Sequence, residues 1–366
     1  MWDDAPWPGL PVLRGAVACD VCVVGLGGSG LAAVQALIDH GKRVVGLDAG
    51  AVAGGAAGRN GGFLLAGPAD FHHDAVRQAG RDRAVALYRR TLRELDRIEA
   101  ETPDAVRRDG SLRVAESDEE LEDCRAQLAA MRDDGLPAEW YRGPEGEGLR
   151  IPTDGVFQPL RRCRTLAARA VSRGALLHEH SAAAEIAGNR VVTSHGSVAC
   201  DAVIVAIDGG LERVIPELQG RVRTARLQMC ATAPTRELST PFAVYSRWGY
   251  DYWQQLPDGG IALGGKRDLG GDGEWTHEAV PAEPVQSLLE AHLRERLGVT
   301  AAITHRWAGA VGYTEDGLPV FEEVRPGVWV VGAYSGTGNV VGAICGRAAA
   351  EMVVRGSSED RELFHG

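Results

Sequence analysis

A short apolar run, Val21-Cys22-Val23-Val24, passes directly into Gly25-Leu26-Gly27-Gly28-Ser29-Gly30 and then into a stretch with helical patterning; Asp48 follows at the end of a second apolar run. No other feature restricts the chain as strongly, because each glycine has a steric task. Gly25 permits the tight turn, Gly27 lets backbone approach a pyrophosphate, and Gly30 lets the helix sit close on the strand. Gly28 and Ser29 complete the turn. Asp48, with Ala49 after it, is placed to accept a hydrogen bond from a ribose hydroxyl. The pattern predicts a strand–turn–helix unit on a parallel sheet that binds a dinucleotide, and leaves open which one.

A second glycine-dense segment, Gly54-Gly55-Ala56-Ala57-Gly58-Arg59-Asn60-Gly61-Gly62-Phe63, follows soon after. It suits backbone folded closely around a further, bulky part of a cofactor; the alternative is a flexible surface loop. A third lies near the C-terminus, where Val328 to Val331 leads into Gly332-Ala333-Tyr334-Ser335-Gly336-Thr337-Gly338-Asn339 and then a small-residue helix over 340–354. The start of that helix would carry unpaired N–H groups and positive dipole character, matching a ligand atom that becomes negative.

At 366 residues the chain is long enough for two domains, and 45% hydrophobic with 24% charged residues is the composition of a globular protein rather than a disordered one. No apolar run reaches membrane-spanning length, so stable membrane insertion is not expected. The start, Met1-Trp2-Asp3-Asp4, lacks the basic region of a secretory signal, and a cytoplasmic protein is expected. A net charge of −11 argues against nonspecific nucleic-acid binding. Seven scattered cysteines do not resemble a disulfide framework. Cys19 and Cys22 have a metal-like spacing, but Cys22 lies inside the first apolar run and no second pair exists; no metal is expected.

Patterning predicts an amphipathic helix over 74–101 and another after the capping-box residues Ser117 and Glu120, with Leu121, Cys124, Leu128 and Met131 on one side. Strands are predicted at 111–114, 175–180, 189–193 and 201–208, and a helix at 165–172. From 221 to 265 the pattern is strand-like, with segments at 225–231, 243–256 and 260–265 in an antiparallel sheet; 284–297 reads as a covering helix. His72 and His73 follow the second glycine segment, and each also suits an ordinary surface position.

Jointly these motifs resemble the D-amino-acid oxidase and glycine oxidase superfamily of FAD-dependent oxidoreductases, in particular its gamma-glutamylputrescine oxidoreductase-like branch. Besides the three glycine segments, the resemblance rests on Gly249-Tyr250-Asp251-Tyr252-Trp253 and Ala262-Leu263-Gly264-Gly265. It implies an α/β FAD-binding Rossmann-like domain of the glutathione-reductase type, over 1–75, 154–215 and 305–366. An α+β substrate domain built on an antiparallel sheet would be interleaved with it, over 76–153 and 216–304. FAD would lie extended, with Gly58 to Phe63 along its ribityl and flavin region and Gly336, Thr337, Gly338 and Asn339 at its pyrimidine edge. Ala183, Ala206 and Gly309 complete the implied contacts. The implied reaction is hydride transfer from the carbon bearing an amine to flavin N5, giving an imine.

Two departures narrow the substrate. Val311 stands where glycine-oxidase relatives carry an arginine that clamps the substrate carboxylate, which favours an amine or a substrate held through other groups. The same position matches the cysteine that attaches flavin in sarcosine-oxidase relatives, so the FAD is expected to be noncovalent. An oxygen-activating lysine of those relatives aligns near Ala262, leaving the electron acceptor as O2 or another. Candidate substrate-side residues are Arg247, Tyr250, Tyr252 and Lys266, with strand alternation placing the two tyrosines on one face. The tyrosines suit ordinary core packing equally, and for Lys266 a solvated surface position is the better reading. Two other readings stay open on the sequence, an NAD(P)-linked dehydrogenase and a flavin-binding module without turnover.

Overall fold

The computed structural model describes residues 1–3 and 5–364. The chain divides into two compact units, each discontinuous in sequence. One comprises residues 2–59, 159–224 and 310 onward, the other residues 60–158 and 225–309. The first border therefore falls at 59/60, not at 75/76. Segment 60–75 is tied to its own unit because Phe63–Leu64 pairs antiparallel with Gly155–Phe157, and Gln254 Nε2 donates to the Gly61 carbonyl at 2.5 Å. The remaining borders lie at 158/159, 224/225 and 309/310.

The first unit is built on a six-stranded sheet in the order Leu176–His178, Val44–Leu47, Val21–Val24, Ala202–Ala206, Val328–Gly332 and Val320–Arg325. Five of the strands run parallel, and the last is antiparallel to its neighbour. Val21–Val24, Val44–Leu47 and Val328–Gly332 are buried along their whole length, as unbroken aliphatic strands are when a parallel sheet is covered on both faces. Helices Gly28–Asp39 and Val341–Arg355 meet through small residues: a Cβ on Gly346 would lie 2.1 Å from the Ser29 carbonyl oxygen. Pro159–Ser172 is the third long helix of this unit. A second sheet joins Gly15–Ala18, Gly196–Ala199, Arg190–Thr193 and Ala183–Ala187. Cys19 and Cys22 belong to the apolar core beneath it, and all seven cysteines are buried free thiols.

An eight-stranded sheet organises the other unit, in the order Ile303–Tyr313, Arg223–Thr232, Ile261–Gly265, Asp251–Gln255, Ala243–Ser246, Ser111–Val114, Gly146–Ile151 and Glu139–Gly143. It is mixed rather than wholly antiparallel, because Ala243–Ser246 runs parallel to Ser111–Val114. Those two strands are far apart in sequence, so no hairpin fixes their direction. Leu112, Val114, Val244, Trp253 and Leu263 cover one face with a solid apolar core, together with Val285, Leu289 and Leu293 from the helical segment 283–296.

Three elements depart from the sequence expectations. The 74–101 helix is two helices, His72–Ala79 and Arg81–Glu101, broken at Gly80 with φ of +82°. Glu283–Ala291 ends in a π-helical turn, His292–Arg296. The 243–256 strand is interrupted by a turn at Arg247–Gly249. No helix among the described residues is long and apolar enough to cross a membrane.

Candidate functional site

At the first glycine turn, Gly25 has φ of +99°, and a Cβ there would lie 2.3 Å from the Ala206 carbonyl oxygen. On Gly30 a Cβ would sit 1.8 Å from the Gly25 carbonyl oxygen. By contrast, a Cβ on Gly28 would meet nothing within 4 Å. The turn is therefore closed toward the sheet and open on its outer side, at the start of a helix whose cap, Gly27, offers no side chain to the orphan N–H groups. Asp48 braces it: one carboxylate oxygen accepts from Leu26 N at 2.8 Å and the other from Gly50 N at 2.9 Å. Burial nevertheless raises the Asp48 carboxyl above its usual range. Ala49 is exposed beside it. Ser181 N donates to the Asp48 carbonyl at 2.7 Å, which brings the start of Ala183–Ala187 alongside.

The C-terminal glycine turn is joined to the first one. Tyr334, buried with its ring against Gly338 and Gly342, donates its hydroxyl to Ser29 Oγ at 2.6 Å. Ala333 and Ser335, on either side, have φ of +51° and +50°, strained values that persist only where surrounding contacts over-determine them. Thr337 N and Oγ1 both donate to the Tyr334 carbonyl, at 3.0 and 2.8 Å, and close the turn before Val341–Arg355. Gly336 has φ of +93°, and Asn339 lies just before the helix. Tyr334→Phe is expected to leave the buried Ser29 hydroxyl unpaired, at about 1–2 kcal/mol, and to weaken FAD binding roughly tenfold. FAD titration of the apoprotein measures the latter.

Asp208, just beyond Ala202–Ala206, accepts from Tyr334 N at 3.0 Å. It keeps some surface accessible, yet desolvation raises its carboxyl from 3.8 to about 7, against the lowering effect of the Tyr334 and Gly312 N–H groups. A folded-state value above the unfolded one means that stability is greatest below about pH 4 and falls as pH rises toward 7. Asp208→Asn should remove that component. Its unfolding free energy relative to the parent is expected to grow by roughly 1–3 kcal/mol over this interval, read from thermal unfolding at a series of pH values.

The second glycine segment straddles the border between the units. Gly58 ends the short turn Ala56–Gly58 in the first unit, where a Cβ would lie 2.3 Å from the Ala53 carbonyl oxygen, and Arg59 caps the turn. In the other unit Asn60 Oδ1 accepts from Gly62 N at 2.8 Å, Gly61 backbone lies against the Tyr252 ring, and Phe63 meets that ring edge-on at 5.9 Å. Gly309 is in the strand Ile303–Tyr313, as is half-buried Val311.

The four substrate-side candidates do not share one face. Tyr252 lies on the sheet face opposite the apolar core, between Gly61 and Gly264. Tyr250 precedes the strand with αR backbone and is 39% exposed, so alternation does not pair it with Tyr252. Lys266 is not a solvated lysine: its Nζ reaches Asp251 Oδ2 at 2.5 Å, and Asp251 is 1% exposed. Arg247 joins the same carboxylate at 3.1 Å and also pairs with Asp268. Asp251 and Trp253 occupy the face away from Tyr252, so Lys266 and Arg247 come together with each other but not with the tyrosine. Likewise His72 is buried, its Nε2 2.6 Å from Asp134 Oδ2.

The family model described as DAO, FAD dependent oxidoreductase, matches residues 20–352. The chain belongs to this family. It is 27% identical over 383 residues to the probable oxidoreductase OrdL of Rhizobium meliloti (strain 1021), with 96% of this chain and 87% of that protein covered. Over 384 residues it is 27% identical to gamma-glutamylputrescine oxidoreductase of Escherichia coli (strain K12), with the same coverage of 96% and 87%. Among solved structures, glycine oxidase from Geobacillus kaustophilus superposes with a TM-score of 0.77 at 21% identity, covering 94% of this chain and 96% of that one. L-amino acid deaminase from Proteus vulgaris gives 0.77 at 17%, covering 97% and 99%. At these identities the structures establish the shared fold.

As a member of the family the protein is an FAD-dependent oxidoreductase, and the first unit fits the cofactor. It offers a turn closed to side chains at Gly25 and Gly30, open space at Gly28, an uncapped helix start and a carboxylate at the end of the second strand. The sequence pattern did not disclose Asp208 or the Tyr334–Ser29 bond. Both depend on which strand ends the fold brings side by side; only the neighbouring glycines hinted at close approach.

Proposed function

We propose that the protein oxidises the C–N bond of a small amine or amino acid to an imine. Bound FAD would supply the hydride acceptor. Gly25, Gly27, Gly28, Ser29 and Gly30 would hold its pyrophosphate, Asp48 and Ala49 the adenosine ribose, and Ala183 and Ala206 the adjoining surfaces. Gly58 to Phe63, Gly309 and Gly336 to Asn339 would serve the flavin end, with no covalent attachment.

The observation that carries this reading is the pair of glycine turns bridged by Tyr334 and Ser29 in a chain of the FAD dependent oxidoreductase family. The names of its relatives and structural neighbours, which refer to gamma-glutamylputrescine, glycine and L-amino acids, support an amine or amino-acid substrate. Tyr252 is the substrate-side residue, its ring held by Gly61 and Phe63 on the sheet face opposite the large apolar core. Lys266 and Arg247 support that sheet from the Asp251 side, and Tyr250 stands exposed at the turn before the strand. Val311 offers no charge to an α-carboxylate, which supports amines over α-amino acids.

The test is an anaerobic reduction screen of the purified flavoprotein with primary amines, secondary amines and both enantiomers of amino acids. Bleaching of the visible flavin band by at least one amine class, with release of the carbonyl product after hydrolysis, is the expected result. A flavin that dithionite bleaches but no amine does would overturn the proposal; bleaching by D-amino acids alone would overturn the inference from Val311.

A further inference from the structure

One face of the eight-stranded sheet carries the large apolar core. On the other face, strand register sets out a row in which Arg113 is opposite Tyr245, Tyr245 opposite Tyr252, and Tyr252 opposite Gly264, flanked by Leu149 beside Arg113 and Met229 beside Gly264. Arg113 is 5% exposed. Its guanidinium lies 5.1 Å from the Phe71 ring centroid and 4.9 Å from that of Tyr245. Gln127 Oε1 accepts from Nη1 at 2.9 Å, while the buried Nε–H has no acceptor. Among the described residues no carboxylate pairs with Arg113. Asp154 acts on Arg113 through space, without a hydrogen bond to it; its carboxylate is occupied by Ala66 N at 2.9 Å and Ser111 Oγ at 2.6 Å, and burial raises it to about 6.

A guanidinium taken out of water without a carboxylate bonded to it is destabilising. Burial lowers the tendency of Arg113 to hold its charge, and Tyr88 and Asp154 oppose that only in part. The two rings occupy its neighbourhood through cation–π contact, and Gln127 takes one end of the planar fork. The edge bearing Nε–H is left, and that is an edge through which arginine binds a carboxylate bidentately.

We infer that Arg113 is a substrate-binding residue that receives a carboxylate carried several bonds away from the C–N bond to be oxidised. The inference rests on the amine-oxidation reading, with Tyr252 at the reacting end. Arg113 and Tyr252 stand two strand spacings apart, about 9.5 Å between backbones. The guanidinium lies at the Tyr245 ring, on the strand between them, a placement that suits an ω-amino acid or a larger amine ending in an acid better than the carboxylate of an α-amino acid.

The experiment uses the holoenzyme and a ladder of ω-amino acids from 3-aminopropanoate to 8-aminooctanoate, each paired with the plain alkylamine of equal length. Anaerobic flavin reduction gives the apparent affinity for each. The parent should prefer the longer ω-amino acids to their matched amines, and Arg113→Met should collapse that preference roughly 10- to 100-fold, with Arg113→Lys restoring part of it. A preference absent from the parent, or unchanged in Arg113→Met, overturns the inference. Thermal unfolding with added pentanoate or glutarate gives a readout independent of turnover. Stabilisation of the parent that is lost in Arg113→Met and partly kept in Arg113→Lys supports the carboxylate site, and no stabilisation of the parent overturns it. If no amine reduces the flavin, the amine reading falls by itself and this second measurement still decides the case of Arg113.

Discussion

Gly30→Ala is expected to yield a protein that retains little FAD and unfolds well below the parent. The added methyl would lie 1.8 Å from the Gly25 carbonyl oxygen and 3.4 Å from Ala206 Cβ. The obstructing atom belongs to backbone, so no side chain can swing away. Gly25 cannot yield easily either, since its N–H is bonded to the Leu47 carbonyl at 2.8 Å and its own φ of +99° is already one that only glycine adopts readily. The helix must therefore move off the strand, at about 3 kcal/mol or more, and its N-terminus leaves the place where the pyrophosphate is received. The ratio of flavin to protein absorbance after purification and the midpoint of thermal unfolding are the two measurements. A variant that purifies fully yellow with the parent's midpoint would show that the turn is looser than its geometry requires.

This part of the molecule was legible in the sequence because its constraints are steric and local. Gly25, Gly27 and Gly30 keep their meaning whatever the rest of the chain does, and aliphatic runs such as Val21–Val24 and Val328–Gly332 need only a covered sheet to be read correctly. Reading failed where a long-range partner decides the structure. Ser117 caps its helix as the capping-box pattern predicts, accepting from Glu120 N at 3.2 Å. Glu120, however, turns its carboxylate to Glu116 N and Trp248 N instead of completing the box. Trp248 lies more than a hundred residues away, so a local pattern could not anticipate it. Similarly, Tyr250 and Tyr252 looked like alternate positions of one strand until Arg247, Trp248 and Gly249, with φ of +51°, +53° and +88°, turned the chain. Gly249 was the available signal, as a glycine within a strand pattern marks a bend. Arg113 and Lys266 carry no such signal: one is a buried cation with no carboxylate bonded to it and the other a cation bonded to a buried carboxylate, and only the fold distinguishes them.

The Asp251 cluster leads to the second large effect, because several cations share one buried carboxylate. Asp251→Ala is expected to destabilise the protein by about 3–5 kcal/mol, since it strands Lys266 and Arg247 without their common partner. His292 lies 3.7 Å from the same carboxylate, and burial, with Lys266 nearby, holds its imidazole below the usual range. It is therefore poorly suited to take over a charge. Lys266→Met should be milder, because Arg247 still satisfies Asp251 and the lysine's backbone, at φ of +60°, is unfavourable for either residue. Combining the two substitutions removes the stranded ammonium along with the acid, so the double variant should recover part of the loss of Asp251→Ala, with a coupling of about 1–3 kcal/mol. Chemical denaturation of all four proteins closes the cycle. Simple additivity would mean that Lys266 and Asp251 do not act as a pair, and would return Lys266 to the set of residues free to meet the substrate.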